Sequence, residues 1–221
     1  MAEHHFEQEE LERLKDWWKR YGSFISLFLT ILGFAIAGWR GWGWYQERQS
    51  REAAEIYDRV VLAAGKADLP SLKQESGSLF EQYPQTSYAP LAAMLSAKQH
   101  GLAGDFKTAA TLLRWVIDRS SDEGLVSIAR LRLAAVLLDD GKAAEALEVV
   151  DAIKPARAEA NDAFNLSRLD RRGDVLHALG RIDEAVKTWD EALGKADGEP
   201  GWKQLLQIKR DHAATSSGKS S

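Results

Sequence analysis

The side chains able to carry chemistry are few, and their spacing argues against catalysis. The chain of 221 residues has no cysteine, which removes thiol, redox and cysteine–metal chemistry. None of its five histidines forms an H-x3-H pair on one helix face, and His4-His5 reads as a solvated pair near a terminus. Asp174 and His177 stand three apart, close enough on a helix to hydrogen bond, but no nucleophile accompanies them. Asp122-Glu123 and Asp139-Asp140 lie beside glycines, where acids commonly solvate helix ends. There is no glycine-rich dinucleotide fingerprint, P-loop, G-x-S-x-G or H-E-x-x-H. We therefore expect no enzyme, cofactor, metal or small-molecule substrate. A net charge of -4 also argues against nucleic acid, whose phosphates require a clustered basic face. What remains is recognition by surface, and the question becomes which elements present it.

From Gln46 onward the chain is charged, alanine-rich and punctuated by glycine, with no alternating strand pattern and no Asn-Gly or Asp-Gly hairpin. Apolar residues recur at helical spacing, as in Ala53, Ile56, Tyr57, Val60 and Val61, or Leu91, Met94, Leu95 and Leu102. Pro84, Pro90, Gly101, Gly104, Gly124, Gly141, Pro155, Gly180 and Pro200 mark breaks. The segments between them give about nine helices of antiparallel pairs, an all-α domain. Within it a unit repeats. Gly104, Gly141 and Gly180 are each followed five residues later by Ala109, Ala146 and Ala185. Seven residues before them stand Ala97, Ala134 and Gly173, and nine after them Leu113, Val150 and Trp189. The glycine suits a left-handed helix end, the small residues a close helix crossing, and the larger one the space against the next pair. Units of this kind stack because none buries its apolar face alone. The pair before them, about 47–83, does not fit the pattern.

Ahead of this domain, Tyr21 to Trp39 is nineteen residues without a charge, enough helix to cross a bilayer core. Trp17, Trp18 and Tyr21 flank one end, and Trp39, Trp42, Trp44 and Tyr45 the other, as interfacial aromatic belts do. Trp17 to Trp39 spans about 33 Å of helix. Ala35-Ile36-Ala37 resembles a signal-cleavage site, which would release the domain as a soluble binding protein. The preceding residues 1–20 hold six acids against four bases, unlike a basic signal, so an uncleaved anchor is expected. Arg13, Lys15, Lys19 and Arg20 outnumber Arg40, Arg48 and Arg51, favouring a cytoplasmic N-terminus. Residues 6–21 form a short amphipathic helix, with Leu11, Leu14, Trp18 and Tyr21 in register and pairs Glu9–Arg13 and Asp16–Lys19. It is either a solvated lead-in or a helix lying on the leaflet. Gly22, Ser26, Thr30, Gly33, Ala37 and Gly41 fall on one side of the span, a face on which a membrane partner could pack closely. Such residues are also common in spans generally.

The repeats resemble the tetratricopeptide repeat. The last copy carries Gly173, Leu176, Gly180, Ile182, Glu184, Ala185, Trp189, Ala192 and Leu193 where that pattern expects them. The middle copy keeps Leu133, Ala134, Leu137, Gly141, Glu145, Ala146 and Leu147, and the first departs at Ser96 and His100. Glu10-Leu-Glu-Arg-Leu-Lys-Asp-Trp-Trp-Lys-Arg-Tyr-Gly22, the span, Trp42-Gly-Trp-Tyr-Gln46 and Tyr83-Pro-Gln-Thr-Ser-Tyr-Ala-Pro-Leu-Ala92 are together similar to the YfgM-type ancillary subunits of the bacterial Sec translocon. That resemblance implies an inner-membrane protein with a short cytoplasmic tail (1–20), a transmembrane helix (21–45) and a periplasmic repeat domain (46–212), while the small, polar residues 213–221 are themselves expected to form a disordered tail. It implies association with the translocon and with a membrane-anchored periplasmic chaperone of the prolyl-isomerase type. The competing expectation is an envelope organiser serving cell-wall or division complexes. In the repeat register a partner would meet Leu91, Met94, Lys98 and Leu102, then Ile128, Leu131, Ala135, Leu138 and Asp139, then Ser167, Asp170, Asp174 and His177. The first two sets form an apolar trough suited to a partner, unless neighbouring helices or Trp202-Leu205-Leu206 cover it as core.

Overall fold

The computed structural model describes residues 3–154 and 163–217, and the elements among them are all helices. They are α1 (Glu3–Gly65), α2 (Leu69–Gln82), α3 (Tyr88–Leu102), α4 (Phe106–Arg119), α5 (Glu123–Asp139), α6 (Ala143–Asp151), α7 (Ala163–Ala178), α8 (Ile182–Lys195) and α9 (Pro200–Ser217). The chain divides into two compact units, Met1–Glu52 and Ala53–Ser221, and α1 contributes to both. The side chains of residues 1–14 and of Asp16 lie outside the described set. With them fall the His4-His5 pair and the ion pairs expected at Glu9–Arg13 and Asp16–Lys19.

In the first unit, the short lead-in helix and the span are one continuous helix rather than two. No proline interrupts it, and isolated glycines cost a helix only about 1 kcal/mol each relative to alanine. It is long and apolar enough to cross a membrane, and its large side chains face outward, with Phe34 76% and Trp39 84% exposed. The aromatic ends cluster: the rings of Trp17 and Tyr21 are 5.9 Å apart and those of Trp42 and Tyr45 6.2 Å. The Thr30 hydroxyl donates to the Ser26 carbonyl at 2.8 Å, satisfying a polar group that lipid cannot. Along the face of small residues, a Cβ would meet nothing within 4 Å at Gly33 or Gly41. At Gly22 it would lie 3.1 Å from the Trp18 indole, so that glycine is covered by its own helix.

In the second unit the turns set the architecture. Gly104, Gly141 and Gly180 hold φ of 79°, 74° and 73°, and after each the chain closes the same six-residue backbone bond. Asp105 N–H donates to His100, Lys142 to Leu137 and Arg181 to Leu176, at 2.9, 2.8 and 3.0 Å. This closure gives carbonyls of the last helical turn a donor and reverses the chain. Ala67 repeats the device between α1 and α2, with φ 52° and a 3.0 Å bond from Asp68 N–H to Ala63. The pair expected to fall outside the repeat therefore shares its turn, in the same 37-residue step from Ala67 to Gly104 to Gly141. Its signature is hidden because alanine stands for glycine and the sizes are exchanged. Val60 and Leu72 occupy the small positions, and Ser76 the large one, all buried.

The irregular residues of the next pair then make sense. Buried Ser96 shares a 2.7 Å hydrogen bond with Ser76, tying α3 to α2. His100 is only 8% exposed, and its Nδ1 lies 2.9 Å from Asp105 Oδ2, fastening the end of α3 to the start of α4. Asp68, Asp105 and Asp122 cap α2, α4 and α5 by accepting backbone N–H bonds. Each helix from α2 onward packs on the next, and α3 with α5, α5 with α7 and α7 with α9 also touch. In the last pair the bulky Trp189 packs back onto its own partner helix, since a Cβ on Gly173 would come within 2.3 Å of the Trp189 Nε1. Gly101 and Gly124 lie inside helices rather than between them. Residues 213–217 of the tail expected to be disordered are helical, and the rest of it lies outside the described residues. α9 runs to Ser217, and Ala213 is fully buried in the cluster with Trp189 and Leu206, because no helix-breaking residue stands between His212 and Ser217.

Candidate partner-binding face

The repeat register places α3 and α5 side by side as first helices of successive pairs, and a groove of about 420 Å³ lies between them. α3 contributes Met94, Lys98 and Leu102, and α5 contributes Arg132, Ala135 and Asp139. Ala97 and Leu113 close the floor. Leu102 is 74% exposed, and Ile128, farther along α5, is 38% exposed. Met94 is only 5% exposed and belongs to the core cluster, so it is floor rather than rim. A lysine there would enter the core. Leu91, Leu131 and Leu138 are half-buried, and Leu91 and Leu138 pack on that same core. Sequence spacing pointed to Lys98, Leu102, Ala135 and Asp139, but missed Arg132. Leucines at 131 and 138 drew the apolar register one residue away from the solvent-facing line.

The third set meets a different fate. Asp170 is 8% exposed, and Lys209 of α9 donates to Asp170 Oδ1 at 2.6 Å and to Asp174 Oδ1 at 2.8 Å. Burial pushes the Asp174 carboxyl above its ordinary value, with the Asp170 charge adding to the rise and the Lys209 bond opposing it. His177 lies between the rings of Trp189 and His212, at 6.1 and 6.4 Å. These residues seat α9, which lies on α7 where another first helix would stack. They do not line the groove. Ser167 is half-buried on the same helix. At the first turn, the Asp105 carboxyl is held below its ordinary value chiefly by the Thr108 hydroxyl and N–H, and further by His100.

Among the described residues no three His, Cys, Asp or Glu side chains gather as metal ligands. The arrangement offers an apolar slot with charged margins, a surface for recognition. A family model described as a tetratricopeptide repeat-like domain matches residues 15–215. The chain is 31% identical over 215 residues to the ancillary SecYEG translocon subunit of Neisseria gonorrhoeae, covering 96% of this chain and 99% of that one. It is 29% identical over 186 residues to the protein of that name from Haemophilus influenzae, covering 84% and 88%. For the Escherichia coli protein the figures are 26% over 203 residues, covering 92% and 94%. Matched through both its apolar helix and its repeats, the chain belongs to the tetratricopeptide-repeat-like family of these ancillary translocon subunits.

Proposed function

We propose that this protein is a non-catalytic scaffold, anchored beside the Sec translocon by α1, whose repeat domain works in the periplasm on proteins being exported. The observation that carries the reading is end-to-end similarity to proteins named as ancillary SecYEG subunits, together with an apolar helix and a repeat groove in one chain. The apolar helix supplies residence in the membrane, and the face of Gly33, Ala37 and Gly41 supplies a surface against which a helix of the translocon packs. The groove supplies a site for a membrane-anchored periplasmic chaperone. Arg13, Lys15, Lys19 and Arg20 before the span support a cytoplasmic N-terminus.

Mild-detergent purification of the full chain should bring down SecY, SecE and SecG together with the chaperone. Recovery of cell-wall or division proteins without the translocon would refute the reading. Because the chain lacks cysteine, a single cysteine introduced at Ser50 or Lys19 reports sidedness. An impermeant thiol reagent applied from the periplasmic side should label the first and spare the second.

A further inference from the structure

The motif Tyr83-Pro-Gln-Thr-Ser-Tyr-Ala-Pro90, which the scaffold reading leaves without a role, helps build a second cavity in the repeat domain. It forms where the α2–α3 joint meets the α4–α5 joint, and it shares no lining residue with the groove between α3 and α5. Its volume is about 140 Å³, below the roughly 300–1,000 Å³ of sites for larger ligands, so it admits a single ring. Trp115 lines it, and Phe80, outside the lining, braces the indole with ring centroids 4.8 Å apart. An indole held this way is a flat apolar plate with an electron-rich face. The hydroxyls around it are already oriented. Thr86 donates to the Tyr83 carbonyl at 2.9 Å, which leaves its lone pairs to accept. Ser120 Oγ accepts the Asp122 N–H at 3.2 Å, which leaves its proton to donate. Ser87, the N-cap of α3, makes no capping bond with its side chain and stands exposed at the rim with Gln85. Asp122 Oδ1 accepts the N–H groups of Gly124 and Leu125 at 2.8 and 3.1 Å, which closes the start of α5 to an anion. Its charge also offsets that of Arg119 on the same lining.

We propose that this cavity binds a neutral pyranose, either free or as one residue of an oligosaccharide. The sugar lays a C–H face on Trp115, where weakly polarised C–H bonds meet the indole π cloud. Its hydroxyls are donors and acceptors at once, so one accepts from Ser120 while another donates to Thr86. Gln85 and Ser87 reach the outer hydroxyls directly or through water. The balanced charges of Arg119 and Asp122 favour a neutral ring over an acidic or basic one. A prolyl ring would fit the volume, but it has no hydroxyl to satisfy Ser120 and Thr86 and would desolvate them without return. Sugar binding of this kind requires nothing of the translocon.

The full chain is purified in a zwitterionic detergent, because the headgroups of sugar detergents would compete for the site. Maltotriose, cellotriose, N-acetylated chitotriose and a trimer of galacturonic acid are then tested by equilibrium dialysis and saturation-transfer NMR. At least one neutral trimer should bind with a Kd of about 1 mM or below, and the acidic trimer at least about tenfold more weakly. Which neutral trimer binds distinguishes an α-glucan, a β-glucan and an N-acetylated glycan as the source. Saturation should reach chiefly the protons of one ring face. Trp115→Leu should weaken the sugar at least about tenfold. Because Trp115 also packs on the core, Thr86→Val provides a second variant that keeps the shape and loses the acceptor, at a cost of about threefold or more. Thermal unfolding shows that each variant is folded, and Lys98→Gln in the groove should leave the sugar unaffected. The proposal is overturned if no neutral trimer binds at about 10 mM, or if the acidic trimer binds as well. Binding indifferent to both Trp115→Leu and Thr86→Val, or a proline-rich peptide taken in preference to every sugar, overturns it equally.

Discussion

Replacing Ala67 by glycine should stabilise the repeat domain, although glycine ordinarily weakens a folded chain. Ala67 has φ 52°, a left-handed conformation costing an L-residue about 1–2 kcal/mol. Its side chain is exposed, so no packing is forfeited. Glycine removes that cost but adds about 0.5–1 kcal/mol of unfolded-chain entropy, leaving a net gain of roughly 0.5–1 kcal/mol. For a domain of this size the melting temperature should rise about 1–4 °C. The mirror experiment is Gly104→Ala, where a Cβ would meet nothing within 4 Å, so only backbone strain at φ 79° is added. It should lower stability by about 1 kcal/mol. Urea and thermal unfolding of the full chain in detergent, followed by helical circular dichroism, measures both. If Ala67→Gly is neutral or destabilising while Gly104→Ala is destabilising, the first turn is not the equivalent of the other three.

Gly173→Ala should cost about 1–3 kcal/mol by overpacking, because Trp189 is 2% exposed and cannot withdraw from a Cβ within 2.3 Å. The urea midpoint should recover when Trp189→Leu is added. Lys209→Ala leaves buried Asp170 without its cation and should loosen α9 by about 1–3 kcal/mol, below the cost of a fully buried pair. Hydrogen exchange localised to α9 reads this out. The Asp105 carboxyl titrates below its ordinary value, so its contribution is present above the ordinary carboxylate range and lost as pH falls through the folded value. Asp105→Asn should flatten that acid-side loss in urea midpoints. Asp174, raised by burial, has the opposite sign. Its contribution is full below the ordinary value and lost as pH rises through the folded one, so Asp174→Asn should remove that decline.

Much of the fold is legible in the order of residues, because three turns need glycine at positive φ and three helix crossings exclude large side chains. Gly104, Gly141 and Gly180 with Ala109, Ala146 and Ala185 fix helix pairing without reference to distant contacts. The uncharged run from Tyr21 to Trp39 similarly declares a membrane-length helix through composition alone. Other features are invisible locally. Ala67 adopts a conformation that its side chain disfavours, held by the surrounding helix pair, so no sequence signal announces the turn. Ser96 and His100 look out of place until Ser76 and Asp105 are brought against them.

The candidate site divides along the same line. Helical spacing brought Lys98, Leu102, Ala135 and Asp139 to one face. Only packing could decide that Met94 sinks into the floor and that Arg132 reaches the rim. Asp170, Asp174 and His177 share their helix with groove-like spacing, yet α9 arrives from some 35 residues away and engages them. Periodicity reports which side of a helix is distinctive. Whether that side meets solvent, a partner or the chain's own last helix is set by what packs there, and that is a property of the folded whole.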